Sequence, residues 1–167
     1  MQTLKTIKIG EGIDNIILGE HKSVVLKGFT KSTYIVRSFH EEAKEYEYSG
    51  YSIKKMRVFQ MGFDEAYEFK NLKKYPIFKM YFKDERLMFI IFSSYSVKEN
   101  VYQSFELDNH VQFLDSLETV LQKMGKYEKH EKFREYDCLL KYHKKGLELI
   151  FDEDQLRVIE MFKPIEN

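Results

Sequence analysis

The chain has 167 residues, with 27 basic and 27 acidic side chains and a formal net charge of zero. That size fits one compact domain, and the balance disfavours general DNA or RNA binding, because a polyanion ligand selects for a basic surplus. Phe (14) and Tyr (12) are abundant, whereas alanine occurs only at Ala43 and Ala66; helix-rich proteins use alanine freely and strands favour aromatics, so a sheet-rich α+β single domain over residues 1–167 is expected.

The start, Met-Gln-Thr-Leu-Lys-Thr-Ile-Lys, has no apolar signal core. Leu87 to Phe92 is the longest apolar run, far short of the roughly 20 residues of a membrane span. Cys138, the single cysteine, cannot form an internal disulfide, so a cytoplasmic protein with no membrane partner is expected. Gly10-Glu11-Gly12 joins two isoleucine-rich segments and is expected to be a turn. A phosphate loop would need a following Gly-Lys-Ser/Thr, which is missing.

Glu20 to Lys27, carrying Val24 and Val25, predicts a short helix that stops at Gly28. The next stretch, within 29–77, has Tyr34-Ile35-Val36, the alternating Glu45-Tyr46-Glu47-Tyr48, and Arg57-Val58-Phe59, all expected as strands. A short helix is expected near Glu65 to Lys73, ahead of Pro76. Phe78 to Phe82 and Leu87 to Phe92 then predict a hairpin turning at the charged residues 83–86.

The strongest helical pattern is Leu117, Val120, Leu121 and Met124, one apolar stripe at helical spacing. Asp115 with Glu118 resembles a capping box, and Gly125 supplies a residue that tolerates positive φ, so a helix from about Ser116 to Met124 is predicted. Leu147 to Phe151 and Leu156 to Phe162 form a second hairpin around Asp152-Glu153-Asp154-Gln155. The two hairpins align without a gap, Phe82 on Phe151, Leu87 on Leu156 and Ile90 on Ile159. The helices align as well, with Val24-Val25 on Val120-Leu121 and Gly28 on Gly125. The expectation is therefore two helix-plus-antiparallel-hairpin units, about 13–95 and 108–164. The first carries roughly 28 extra residues within 29–77.

Leu18-Gly19, Val24-Val25 and Gly28 in the first unit resemble the tandem helix-plus-hairpin units of the beta-lactamase-inhibitor-protein-like fold. In the second unit Val120-Leu121, Gly125, Gly146-Leu147 and Phe151-Asp152-Glu153-Asp154 carry the same likeness. The resemblance implies a sheet that presents a contact surface. Its bacterial cytoplasmic examples imply an immunity protein that neutralises a toxin by covering it.

Catalytic and metal patterns are weak. The histidines are His21, His40, His110, His130 and His143, none paired at helical metal-ligand spacing. No metal and no cofactor are expected. Cys138 opens an apolar strand, where a thiol acts as a small hydrophobe. The positive signal is the Tyr-rich insertion. If this segment forms a strand, Tyr46 and Tyr48 line one face and Glu45 and Glu47 the other, with Tyr51 following them. Those rings either anchor an interface or fill the core under the sheet. The basic clusters Lys54-Lys55-Arg57 and Lys141…Lys144-Lys145 offer RNA contact, which the neutral balance disfavours. The expected function is non-enzymatic protein binding of inhibitor or immunity type. The alternative is a small hydrolase or ligand-binding enzyme whose site is assembled from distant residues.

Overall fold

A computed structural model describes residues 5–69, 77–95, 105–132 and 138–164. In chain order the elements are β1 (Lys5–Ile7), β2 (Gly12–Ile13), β3 (Ile16–Ile17), α1 (Lys22–Val25), β4 (Tyr34–Ser38), α2 (Phe39–Tyr48), α3 (Arg57–Met61) and β5 (Glu65–Phe69). They continue with β6 (Ile77–Lys83), β7 (Arg86–Ser93), β8 (Phe105–Leu107), α4 (Leu117–Met124), β9 (Lys129–Lys132), β10 (Cys138–Tyr142), β11 (Leu147–Asp152) and β12 (Gln155–Phe162). The fold is α+β. Eight strands form an antiparallel sheet in the order β4-β5-β6-β7-β12-β11-β10-β9, and β1 pairs in parallel with β8 in a separate ribbon.

Both predicted hairpins are present, and they share their details. Asp84 and Glu85 turn the first with φ of 51° and 67°, and Glu153 and Asp154 turn the second with φ of 51° and 60°. Two successive positive φ values mark the tight hairpin turn whose twist matches the flanking strands. The register slips between Tyr81 and Phe82 in one hairpin and between Ile150 and Phe151 in the other. Strands β7 and β12 join the hairpins, with Ile91 opposite Glu160.

Each hairpin also docks a helix in the same way. Gly19 N–H donates to Leu87 O (2.8 Å), and Leu114 N–H donates to Leu156 O (2.8 Å). His21 caps α1 and Ser116 caps α4, each accepting from a backbone N–H inside its helix. The matching buried residues are Val25 and Val120 (3% and 0% exposed), whereas Val24 is 51% exposed. The helix starts are thus the better guide to correspondence than the glycines at their ends.

The predicted helix at 116–124 is present with one correction, since Ser116 and not Asp115 is the cap. Asp115 instead accepts from Gln112 N–H and Lys123 Nζ, bracing the approach to the helix. The acidic turn at 152–155 also braces this helix. Asp154 Oδ1 accepts from Leu117 N–H (3.1 Å) at the first turn of α4. Gly10-Glu11-Gly12 is the expected turn, closed by Lys8 N–H donating to Gly12 O (2.8 Å).

The insertion departs most from expectation. Residues 45–48 are not a strand but the end of α2. Ser38 and Glu41 form a reciprocal capping box at its start, and this local signal outweighs the alternating pattern further on. Arg57-Val58-Phe59 also lies in a helix, α3, which buries Val58 and Phe59 against the sheet and ends at Gly62, φ 77°. The helix expected from Glu65 is instead β5, an interior strand that pairs with both β4 and β6. The rest of that expected helix, 70–73, lies outside the described residues.

Two cores flank the sheet. On one face α1, α4, β1, β8 and the small β2–β3 hairpin bury Ile7, Val25, Phe105, Val120 and the inward residues of the hairpins. On the other face α2 and α3 cover Ala66, Tyr81, Phe89, Ile91 and Phe162. Phe89 and Phe162 stack with ring centroids 5.5 Å apart across β7 and β12. Burial of such aromatic residues contributes about 1.5–3 kcal/mol each, and ten of the 14 phenylalanines are buried in the two layers. Among the described residues no helix is long and apolar enough to cross a membrane.

Candidate functional site

The distinctive chemistry lies where the α2–α3 insertion meets the sheet. Glu42 of α2 is fully buried, yet three strands-side donors reach it. Tyr81 Oη–H donates to its Oε2 (2.6 Å), Lys79 Nζ lies 3.2 Å from the same oxygen, and Arg37 Nη1 lies 3.5 Å from Oε1. Arg37 also pairs with Glu68. A buried charge is tolerable when it is paired and hydrogen-bonded in this way. Burial works against the Lys79 ammonium, but the surrounding Tyr46, Glu42 and Glu68 raise its pKa overall. Burial, then Tyr46 and Glu42, pushes the Tyr81 phenol well above its usual range, so it stays a proton donor.

The tyrosines expected on one surface are separated by this helix. Positions i and i+2 on a helix point about 200° apart, so Tyr46 turns inward while Tyr48 turns out. Tyr46 packs under Lys79, whose ammonium sits 4.7 Å from the ring centroid, and meets Phe59 edge-on at 5.8 Å. Tyr48 is 95% exposed. Glu45 and Glu47 are exposed beside it, and Tyr51 is half-buried just beyond the helix. Tyr46 is thus a core ring, and Tyr48 is the one of the three that stands open to solvent.

Tyr51 lies on the lip of a groove of about 900 Å³ between the 49–60 segment and strands β9 and β10. Lys54 and Lys55 line one wall, and Lys129, Lys132 and Lys141 the other, with Glu131 the sole acid on the lining among the described residues. Glu131 is held by Lys129 (3.0 Å) and Lys141 (3.1 Å). Those two bonds lower its pKa. Lys54, Lys55 and Lys132 have no carboxylate partner among the described residues. The sequence shows these lysines as separate clusters far apart in the chain; only the return of β9 and β10 to the insertion's flank brings them together.

A second buried group lies deeper. Glu160 stands on the helix-covered face opposite Ile91, and burial, then the nearby Glu148 carboxylate, pushes its pKa up to about 8. Burial also raises the pKa of Glu148, opposed by His143, whose Nε2 lies 3.1 Å from Glu148 Oε2. Arg57 lies over the Phe162 ring at 5.1 Å, with its Nε lacking a hydrogen-bond partner.

The remaining histidines have local roles. His21 caps α1, His110 lies beside Glu106, His130 sits on edge strand β9, and His40 is exposed on α2. Burial, then Asp154, raises the Cys138 thiol pKa to about 11. Because the thiolate is the reactive form, alkylation of Cys138 by iodoacetamide at neutral pH is expected to run about two orders of magnitude slower than that of a free cysteine. A rate matching free cysteine would contradict this environment. Among the described residues no group of three His, Cys, Asp or Glu side chains is placed to hold a metal. No family model, curated protein or solved structure matches the chain.

Proposed function

We propose that this chain is a non-enzymatic cytoplasmic protein-binding module of inhibitor or immunity type, which neutralises a protein partner, such as a toxin, by stoichiometric surface contact. The observation that carries the reading is the outer edge of the insertion, where the 95% exposed Tyr48 stands beside Glu45 and Glu47 and next to the lip formed by Tyr51. A large ring on a helix end supplies contact area at low entropic cost, the usual chemistry of an interface anchor. An acidic helix beside a basic groove also selects partners by charge complementarity.

The same proposal reads the chain as one domain of two helix-plus-hairpin units, about 13–95 and 108–164, with α2 and α3 as the inserted part of the first. The repeated turns, register slips and helix docking support it, and the likeness to the beta-lactamase-inhibitor-protein-like fold gives it a precedent in inhibition. The test is co-purification with the product of the adjacent gene, followed by titration calorimetry. One-to-one binding is expected, and failure to bind any adjacent gene product counts against the reading.

A second reading, a hydrolase, is favoured by the His143 and Glu148 pair next to Glu160. It requires turnover of simple p-nitrophenyl esters that disappears in His143→Gln; the binding reading expects no turnover from either protein.

A further inference from the structure

The groove flanking the insertion concentrates positive charge in a chain whose net charge is zero. Among the described residues five lysines converge on it against one glutamate, and that glutamate is already neutralised by Lys129 and Lys141. Holding like charges together costs free energy unless an anion occupies the space between them. A wider groove of about 1300 Å³ on the opposite layer shows the contrast. There Lys5 and Lys27 face Asp14 and Glu20, and Lys5 pairs with Asp14 at 2.9 Å, so its charge is balanced internally.

We propose that the basic groove between residues 49–60 and strands β9–β10 receives a carboxylate-rich segment of the partner protein. This inference rests on the protein-binding reading and names the chemistry of the partner at that surface. Lys54, Lys55 and Lys132 are the contact residues, because they lack carboxylate partners among the described residues, while Lys129 and Lys141 are tied to Glu131.

The geometry favours an acidic protein segment over a nucleic acid. Single-strand binding surfaces combine positive charge with successive aromatic rings on which bases stack. Among the described residues Tyr51 is the one aromatic side chain on the groove lining, and its ring sits edge-on to Tyr46 at 5.6 Å. The neighbouring exposed face of α2 carries Glu41, Glu45 and Glu47 against Lys44, a net negative surface. That face repels the unbroken charge of a phosphate backbone extending past the groove, whereas a polypeptide carries its charge residue by residue and needs acids only where it crosses the lysines.

The test uses fluorescence anisotropy on the full chain with two labelled probes, a peptide of alternating Glu and Ser and a single-stranded oligouridylate of matching charge. The acidic peptide is expected to bind more tightly than the RNA. Lys54→Glu combined with Lys132→Glu is expected to weaken peptide binding about tenfold or more. Lys27→Glu, on the other groove, serves as the control and is expected to leave it within about twofold. Circular dichroism on each variant verifies the fold.

Tighter binding of the RNA, or equal peptide affinity in the wild type and the groove variant, overturns the inference. The adjacent-gene product separates this from failure of the broader reading. If that partner binds wild type and groove variant equally, the groove assignment falls and protein binding stands. If the peptide binds through the groove while no protein partner does, the groove stands and the inhibitor reading falls.

Discussion

Replacing Glu160 by glutamine is expected to stabilise the protein above about pH 8 by an amount of the order of 5 kcal/mol. The cause is the raised pKa of its carboxyl, which goes from an ordinary value of 4.5 to about 8 through burial and the Glu148 charge. A carboxyl whose folded pKa lies above its unfolded one binds more protons in the native state. Stability is then full below pH 4.5 and is lost as pH rises to about 8. Glutamine keeps the shape and removes the titration, so the variant and wild type should agree in acid and diverge through neutrality. Urea unfolding across that pH range measures it. The raised pKa of Glu148 has the same sign and leaves a shallower residual slope in the variant. Parallel stability profiles for the two proteins would contradict the environment described for Glu160.

The second large effect is destabilising. Truncating Glu42 to alanine removes a fully buried carboxylate from the donors Tyr81, Lys79 and Arg37. Breaking a buried charged network by deleting one partner costs about 3–5 kcal/mol, because the remaining groups stay buried without compensation. Tyr81→Phe removes one donor and leaves the carboxylate paired with two cations, so a smaller loss, about 1–2 kcal/mol, is expected. A double-mutant cycle of Glu42→Gln with Tyr81→Phe isolates their coupling. A loss below about 1 kcal/mol in Glu42→Ala would mean that this network does not hold α2 to the sheet.

These two residues show what the sequence conceals. Glu42 and Glu160 look like ordinary members of a chain that is 32% charged. Glu42 becomes a buried hub only because α2 crosses Lys79 and Tyr81, which are far from it in sequence. The hairpins, by contrast, are legible from local pattern. Phe82, Leu87, Phe151 and Leu156 are apolar at turn-flanking positions, and the turns set the pairing up to the slip beside each of them. The helix at 117–124 is equally local, since its stripe and its end at Gly125 lie within one short window.

The insertion misleads because two local signals conflict. Glu45-Tyr46-Glu47-Tyr48 alternates as a strand does, but Ser38 and Glu41 have already started a helix, and Glu42, Ala43 and Tyr46 recur at the spacing of one helical face. The capping box is readable in the sequence and is the signal that would have corrected the assignment. No such local signal exists for the groove. Lys54 and Lys55 meet Lys129, Lys132 and Lys141 through sheet topology, and clusters that are solvated when considered singly become a concentrated field when opposed.

The proposed contact surface is the edge of the insertion together with the adjoining groove. Hydrogen–deuterium exchange of the full chain, alone and saturated with the adjacent-gene product, tests it most directly. The account predicts slowed exchange confined to residues 45–55 and 129–132, with the α1 and α4 side of the sheet unchanged. Protection centred on α1 and α4, or none in 45–55 and 129–132 at saturation, would contradict it.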